Sequence, residues 1–432
     1  MKNINQVLSQ AQLAYDNENW SLLITCLQQL IIEDSLQNST LRNYQEELLK
    51  LAIASLQVGD FQERWEISKI LNRLGAIAIP PLLEILQNQE AEEELRWYCI
   101  RILSNFQDET IIPALVELLQ NNHHEELQLM AATALGKMGE KAVNTLSQLL
   151  AADKTKIFAV RILGTIPHPA IIDSLLTVVN DTEISVRRMA IAALSSFHDP
   201  RIPPVLLTAL DDVAAAVRKE AVLGLGFRPD LQTELQLVGK LRQRLEDNNL
   251  DVCCAAVVAL SRMGGDVVPP YLSQVLMSST ANTKLQIEVI RALSWMENQL
   301  GLELLNQAFH NLQSEILWQE IVTVLGRISH PNLKTTATQM LLKILDSQHP
   351  ALGISAIKRQ IALSLGQLGK TEALEPLINL LADSDIFLRL HAIAALKNLA
   401  PEIAQAKLQE MSSNPQLPPD LQQGISTALA EW

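Results

Sequence analysis

The stretch Asp181-Thr-Glu-Ile-Ser-Val186-Arg187-Arg-Met-Ala190-Ile-Ala-Ala-Leu194 decides the fold of this chain. Val186, Ala190 and Leu194 recur every four residues, so a helix would bring all three to one face. Asp181 stands ahead of this helix, where a carboxylate can accept hydrogen bonds from the free N–H groups of a first turn. The stretch therefore predicts an amphipathic helix with a polar start and an apolar face of small and branched residues.

The same pattern recurs along the chain around one leucine, which we call the anchor leucine and use to number positions within each repeat. An apolar residue stands at position −8 in most copies, alanine or another apolar residue at −4, and a small residue at +1. Most anchors lie 31 to 35 residues apart, a spacing that suits one helix pair, helix A and helix B, per repeat. The anchors are Leu71, Leu103, Leu135, Leu163, Leu194, Leu225, Leu260, Leu293, Leu325, Leu365 and Leu396, with a twelfth expected at Leu429.

The order of residues at and after Leu194 gives the repeat a specific resemblance. Asp181 to Leu194, followed by His198-Asp199-Pro200 and Pro204, resembles a HEAT repeat, and the short period is similar to the HEAT-like repeats of phycobilisome bilin lyases of the E/F type. No stretch shows the alternation of a β-strand. We therefore expect an all-α fold, an α-solenoid of about twelve short HEAT-like helix pairs.

The first residues do not fit the repeat. Residues 14–20 and 59–61 are similar to parts of tetratricopeptide-like helical hairpins, and a repeat array needs atypical ends to cover its terminal apolar faces. We predict an N-terminal helical cap at residues 1–60 and the solenoid at 61–432. Two insertions, at 227–240 and 347–359, are candidate binding loops.

Composition limits the function and the compartment. With 34 Lys+Arg against 48 Asp+Glu, the net charge is −14, which argues against a protein that binds nucleic acid through a basic surface. Four cysteines without a CxxC pair indicate a reducing compartment. The polar N-terminus shows no signal peptide, and no apolar run reaches the roughly 18 residues of a membrane span. We expect a cytoplasmic protein without membrane insertion.

Two polar positions also repeat, and they predict a structural ladder. A cation is common at position −7 and an aspartate at −13. If repeats stack, the cation of one repeat would reach the aspartate of the repeat before it, forming a row of hydrogen-bonded ion pairs. The ladder residues are Asp181, Arg187, Asp212, Arg218, Asp247, Asp383 and Arg389.

The face of helix B opposite the apolar positions carries about −6, −3, −2 and +1, and the HEAT resemblance implies that helix B lines a concave groove. Two candidate binding strips follow. The first combines aromatic rings with cations, a chemistry that suits an aromatic anion or an acidic partner helix: Trp65, Lys69, Trp97, Arg101 and Arg161. The second is an apolar patch on the same side, typical of a partner surface: Val222, Leu223, Val257 and Val258.

No catalytic or metal-binding motif is visible. HExxH, zinc-type Cys/His spacing, phosphate-binding glycine loops and GxSxG are all absent from the sequence. Cys253 occupies the ladder position and Cys254 points outward, so Cys254 is the better candidate for a reactive thiol. We expect no metal and no resident cofactor.

Two functions remain open. The first is a non-catalytic scaffold that binds another protein in its groove, for the assembly or maintenance of a larger complex. The second, implied by the lyase resemblance, is a bilin lyase or bilin chaperone with a phycobilin as transient ligand. Its partner would be a phycobiliprotein or a subunit of a photosynthetic complex.

Overall fold

The computed structural model describes residues 4–33, 43–121 and 124–432, and these residues form helices and connections without a β-strand. The predicted all-α class is confirmed. The chain divides into two compact units, residues 1–202 and 203–432.

The helices of the first unit follow one another with short connections. They are α1 (Ile4–Asp16), α2 (Trp20–Gln28), α3 (Gln45–Val58), α4 (Phe61–Leu74), α5 (Ile79–Gln87), α6 (Glu93–Leu103), α7 (Ile112–Asn121), α8 (Glu125–Met138), α9 (Glu140–Leu149), α10 (Asp153–Leu163), α11 (Ile171–Leu176) and α12 (Ile184–Leu194).

In the second unit the helices also follow one another with short connections, beginning with α13, which spans the boundary between the units. Its helices are α13 (Ile202–Ala209), α14 (Ala215–Gly226), α15 (Leu237–Gln243), α16 (Leu250–Met263), α17 (Val268–Leu276), α18 (Thr283–Trp295), α19 (Gln299–Asn311), α20 (Glu315–Gly326), α21 (Pro331–Leu345), α22 (Ser355–Leu368), α23 (Leu374–Asn379), α24 (Ile386–Leu399), α25 (Pro401–Ser412) and α26 (Pro419–Ala430).

In most repeats, helix B packs on the helix A before it and on the helix B of a neighbouring repeat. For example, α22 contacts both α21 and α24. All of the anchor leucines from Leu71 to Leu396 are fully buried, so the apolar face read from the sequence is the face that forms the core. Burial of a leucine side chain contributes about 2 kcal/mol, and the repeat supplies this contribution many times over.

The C-terminal end departs from the expected pattern. Leu429 is only half-buried, whereas Leu421, Ile425 and Ala428, at positions −8, −4 and −1 before it, are buried, so the last helix keeps the apolar face of the repeat but exposes part of its anchor. The reason is that α26 packs on the short 3₁₀ turn Leu380–Ala382, with Gly424 directly against the main chain of Leu381. The last helix therefore lies over the end of α23, which is the helix A of the preceding repeat.

The N-terminal segment begins with a helical hairpin of α1 and α2. The Asn19 side chain accepts the N–H of Leu22 at 3.1 Å and starts α2, and the rings of Tyr15 and Trp20 meet edge to face at 5.9 Å. The predicted cap, residues 1–60, also includes α3. This helix packs on α4 and takes the place of helix A in the first repeat.

In several repeats, position −7 holds a buried donor that connects helix B to helix A. Arg64 donates to the carbonyl of Leu56 at 3.2 Å, Arg96 to Leu86 at 3.1 Å, and Gln286 to Leu276 at 2.8 Å. In another repeat the Trp318 indole N–H donates to the carbonyl of Phe309 at 3.0 Å. These acceptors lie at or near the end of helix A, where helix carbonyls have no partner within the helix. Different residue types therefore make the same connection.

The ladder aspartates hold the A–B turn instead of the first turn of helix B. Each accepts the N–H two residues further on, and that residue is the one that directly precedes helix B, so the predicted cap lies two residues too early. The four distances are Asp181 to Glu183 at 2.9 Å, Asp212 to Ala214 at 2.7 Å, Asp247 to Asn249 at 2.9 Å and Asp383 to Asp385 at 3.0 Å.

The ladder pairs run in the opposite direction from the prediction. Arg218 reaches forward to Asp247 of the following repeat, with distances of 2.8 Å from Nε and 2.7 Å from Nη2. Two lysines at the same position do likewise, Lys156 to Asp181 at 2.8 Å and Lys358 to Asp383 at 2.9 Å. Burial alone would raise the pKa values of these three aspartates, but the hydrogen bonds from these cations and from the turn N–H groups lower them overall.

The arginines also bind within their own repeat. The guanidinium groups of Arg187 and Arg389 donate to the main-chain carbonyls of Asp181 at 2.8 Å and Asp383 at 3.0 Å, and Arg218 does the same to Asp212 at 2.8 Å. One side chain thus closes the A–B turn of its own repeat, and Arg218 also ties that repeat to the next. The ladder stabilises both the repeat and the stack.

The two predicted insertions form ordered structure. Residues 227–240 contain the 3₁₀ turn Pro229–Leu231 and the start of α15, and residues 347–359 contain the turn Pro350–Gly353 and the start of α22. In the second insertion the His349 ring packs on the rings of Phe309, at 4.7 Å between centroids, and Trp318, at 5.1 Å.

One helical stretch, Phe61–Gln87, is long and apolar enough to cross a membrane by length and composition. It comprises α4, the 3₁₀ turn Gly75–Ala78 and α5. Ile67, Leu71 and Leu82 of this stretch are fully buried in the repeat core. Packing within the first repeats accounts for its apolar character.

Candidate functional site

The first predicted strip forms a cluster on the outer face of two neighbouring B helices. The guanidinium carbon of Arg101, on α6, lies 3.5 Å from the ring centroid of Trp65, on α4, and 5.6 Å from that of Trp97. Positions −6 and −2 place these side chains on one face, and stacking of α4 against α6 brings the two faces together. A cation over an aromatic ring contributes about 0.5–2 kcal/mol, which stabilises the position of Arg101 against the indole rings.

Two further aromatic residues complete the cluster, and the sequence analysis did not identify them. The ring of Phe61 stacks on Trp65 at 6.4 Å and meets Tyr98 edge to face at 5.9 Å. The buried Tyr98 hydroxyl donates to the Phe61 carbonyl at 3.0 Å, and burial, followed by the charge of Glu94, raises its pKa. We call Phe61, Trp65, Trp97, Tyr98 and Arg101 the aromatic–cation site. The spacing of Phe61 and Trp65, four residues apart, was the signal that could have found Phe61.

The remaining cations of the strip are placed differently. Lys69 binds Glu66 at 2.8 Å on its own helix, and Glu66 also accepts from Gln28 at 2.9 Å. Arg161, on α10, is exposed. Within the described ranges no hydrogen bond, ion pair or cation–π contact joins Arg161 to the aromatic–cation site. Lys69 is at its border, and Arg161 belongs to a separate part of the helix-B face.

The electrostatics of the site leave Arg101 open to an acidic ligand. Arg101 is half-buried, and among the described residues no carboxylate forms an ion pair with it. The nearby carboxylates are engaged elsewhere, Glu66 as above and Glu94 with Arg64 at 3.3 Å. A guanidinium whose faces meet aromatic rings still has N–H donors along its edge, and those donors suit a carboxylate.

Only two of the four residues of the second predicted strip reach the surface, and they do so in part. Val222 and Val257 are fully buried, and Leu223 and Val258 are half-buried, so the predicted apolar patch is wrong for the first two residues. Position −3 is also fully buried in other repeats, as Ile100, Ile191 and Ile290 show. The physical reason is that each helix B is covered by neighbouring B helices as well as by its own helix A, which widens the buried arc to include −3.

The structure places the cysteines where their thiolates are not favoured. All four cysteines are free thiols; Cys253 donates through Sγ to the carbonyl of Asp247 at 3.0 Å, replacing the arginine of other repeats. Burial raises the pKa of Cys254, with Lys284 as the largest opposing influence, so the thiolate that a nucleophile requires is disfavoured. In the described part of the chain no group of three or more His, Cys, Asp or Glu side chains is arranged to hold a metal ion.

Comparison with known proteins supports the repeat assignment. A family model described as HEAT repeats matches residues 79–157, 145–226, 202–294, 302–397 and 341–430. No curated protein sequence matches the chain.

Several solved structures share the fold. The karyopherin Kap121p, bound to the extreme C-terminus of the protein phosphatase Cdc14p, is similar with a TM-score of 0.53 at 15% identity, covering 99% of this chain and 58% of that one. Kap95p, in a structure with RanGDP, gives 0.52 at 14% identity, covering 99% and 66%. A chain in a homology model of the full-length AP-3 complex gives 0.51 at 12% identity, covering 100% of this chain and 93% of that one. This chain thus spans 58% and 66% of the two karyopherin chains, and at these identities the likeness shows the fold alone.

Proposed function

Since this chain belongs to the family of HEAT-repeat proteins, we propose that it is a protein-interaction scaffold that binds an acidic helix of a partner protein at the aromatic–cation site. The observation that carries this proposal is Arg101, a half-buried guanidinium set against two indole rings with no carboxylate paired to it among the described residues. A glutamate or aspartate of the partner supplies the missing charge. Tryptophan, tyrosine and arginine are the residue types on which binding energy concentrates at protein interfaces.

The shape of the site suits a helix more than a small molecule. Phe61 is 60% exposed and lies beside the half-buried Trp65 and Trp97, so three rings offer apolar contact area along two adjacent helices. An amphipathic partner helix meets such a surface with residues three and four positions apart. We propose that this contact serves the assembly or maintenance of a larger complex in the cytoplasm. Kap121p bound to a segment of Cdc14p is an example of a protein ligand on a similar fold.

The test is a fluorescence anisotropy titration with a fluorescein-labelled amphipathic peptide of Glu and Leu, and with its Lys–Leu counterpart. Saturable binding of the acidic peptide alone is expected, and Arg101→Glu should weaken it by about tenfold or more, because charge reversal places two like charges in a half-buried contact. The matched control is Arg73→Glu, which makes the same charge change at an exposed position on α4. Circular dichroism checks that both variants stay helical.

Two outcomes contradict the proposal. An equal loss in Arg101→Glu and Arg73→Glu would mean that the peptide responds to net charge and not to the site. Failure of the acidic peptide to bind the unmodified protein would remove an acidic helix as its ligand.

Bilin handling is the second candidate, and the same geometry favours it. A phycobilin is an open-chain, conjugated tetrapyrrole whose propionates suit Arg101 and whose rings suit Trp65 and Trp97. The partner would then be a phycobiliprotein or a subunit of a photosynthetic complex. An absorption titration with a phycobilin separates the two candidates: a saturable red-shifted band that Trp97→Ala abolishes would favour bilin handling, and a flat titration would count against it.

A further inference from the structure

A second row of aromatic and cationic residues lies in the unit 203–432, at a repeat position that the sequence analysis did not use. Position +2, just past the anchor at the carboxyl end of helix B, is occupied in four successive repeats by Phe227, Arg262, Trp295 and Arg327. Their helices α14, α16, α18 and α20 pack side by side in that order. The four side chains therefore follow one edge of the unit.

The apolar side chains of this edge are exposed to solvent. Phe227 is 57% exposed and Trp295 is 65% exposed. Val267, which is 61% exposed, lies in the connection that follows Arg262, after Gly264 and Gly265, two residues with positive φ angles. Large apolar side chains grouped on one edge indicate a contact surface more strongly than the same residues scattered singly.

The two arginines of the edge lack acidic partners. The Arg262 guanidinium lies 4.3 Å from the Phe227 ring centroid, and its Nη1 is buried without a hydrogen-bond acceptor. Arg327 is exposed. No carboxylate forms an ion pair with either one in the described part of this acidic chain.

The carboxylates along the edge are largely engaged. Asp230 binds Arg228 at 2.8 Å, and Glu297 accepts the N–H and hydroxyl of Ser329 at 2.7 and 2.8 Å. Asp266 is exposed in the same connection as Val267. The edge thus presents two unpaired cations and three apolar side chains against one carboxylate, Asp266, that has no ion pair or hydrogen bond among the described residues, in a protein whose net charge is −14.

We propose that this edge, which we call the second-unit rim (Phe227, Arg262, Val267, Trp295 and Arg327), binds an acidic segment of a partner protein. Carboxylates of the segment pair with Arg262 and Arg327, and its apolar side chains lie on Trp295 and Val267. Charge complementarity selects this occupant, since the two guanidinium groups are the unpaired charges of the rim. The rim and the aromatic–cation site belong to different units, so each can bind whether or not the other does.

The test first inactivates the aromatic–cation site by substitution and then measures peptide binding at the second-unit rim. In an Arg101→Glu background, the acidic Glu–Leu peptide should still bind, and Arg327→Glu should weaken this remaining binding by about tenfold or more. Trp295→Ala should weaken it as well, and neither change should alter the melting temperature appreciably, because both side chains are exposed. The matched control is Lys343→Glu, an equal charge change at an exposed position on α21.

The proposal is overturned if the Arg101→Glu protein does not bind the peptide, or if Lys343→Glu weakens binding as much as Arg327→Glu. It is also overturned if a single-stranded oligonucleotide competes for the rim at equal concentration, because the ligand would then be recognised as a polyanion and not as a protein segment.

Discussion

Gly226, directly after the anchor of α14, lies so close to Ala259 of α16 that a β-carbon on Gly226 would stand 2.8 Å from the Ala259 β-carbon. Gly366 and Ala395 repeat the relationship, with 2.8 Å between the same two positions. Position +1 of one repeat therefore faces position −1 of the next. The small residues that recur in the sequence at +1 are those that permit this approach of the B helices.

Adding one methyl group at this contact should destabilise the protein. Gly226→Ala is expected to lower the free energy of unfolding by about 1–3 kcal/mol, because the neighbouring backbone must move. Gly239→Ala is the matched control, since Gly239 is in α15 with nothing within 4 Å of the added carbon and no positive φ. It should leave stability unchanged or raise it by about 0.5–1 kcal/mol. Urea unfolding of both variants measures this difference, and equal effects would show that the contact is not tight.

The ladder pair of Arg218 and Asp247 should contribute to stability. Both side chains are largely buried, and Arg218→Ala removes a charged donor from Asp247 and from the Asp212 carbonyl. Arg218→Ala should lower the free energy of unfolding by about 2–3 kcal/mol, which thermal or urea unfolding measures. Asp247→Asn should cost less, since its side-chain oxygen can still accept the N–H of Asn249.

An exposed ion pair of similar sequence separation serves as the control for the ladder. Lys284 and Asp251 lie 3.1 Å apart on neighbouring B helices, and both are exposed. Lys284→Ala should change the melting temperature little, because exposed pairs are screened by solvent. If Lys284→Ala and Arg218→Ala had the same effect, burial of the ladder would not be the cause.

Acidification below neutral pH should weaken the packing of the second insertion. Burial, and then the charge of His310, lower the pKa of His349 below its ordinary 6.5. In the pH range just below 6.5 the unfolded chain therefore binds more protons than the folded one, and stability falls as pH falls. The free energy of unfolding should decrease between pH 7.5 and 5.5, and less so in His349→Gln. His198→Gln, outside this cluster, should keep the slope of the unmodified protein, and an unchanged slope in His349→Gln would refute the assignment.

The cysteines should react slowly with a thiol reagent at pH 8. Burial raises the pKa of Cys254, and it raises that of Cys99 to about 12, with Arg64 and Arg96 opposing it. Cys254 is half-buried and should react first, whereas Cys99 is fully buried and should react only on unfolding. Release of the chromophore from dithionitrobenzoate measures the rates. A rate at Cys254 equal to that of free cysteine would instead identify an activated thiol.

The sequence by itself determined the repeat and its core. Spacings of four and eight residues before each anchor are local properties of one helix, and the anchors from Leu71 to Leu396 are all buried as this spacing predicts. The same local geometry put Trp65, Trp97 and Arg101 on one face, and the structure brings them into contact. Helical periodicity sets the direction in which each side chain leaves the helix axis. The burial of the anchors and the shared face of Trp65, Trp97 and Arg101 depend mainly on that direction.

Only the tertiary structure decided how wide the buried face is and in which direction the repeats connect. Val222 and Val257 lie at position −3, which helical spacing alone places on the face opposite the apolar positions, and packing of neighbouring B helices buries them. Arg218 could reach an aspartate of either neighbouring repeat by spacing alone, and the stacking places Asp247 within 2.7 Å. Both outcomes depend on the rotation and separation of one repeat relative to the next, which are set by side-chain packing between repeats and not by the period within one.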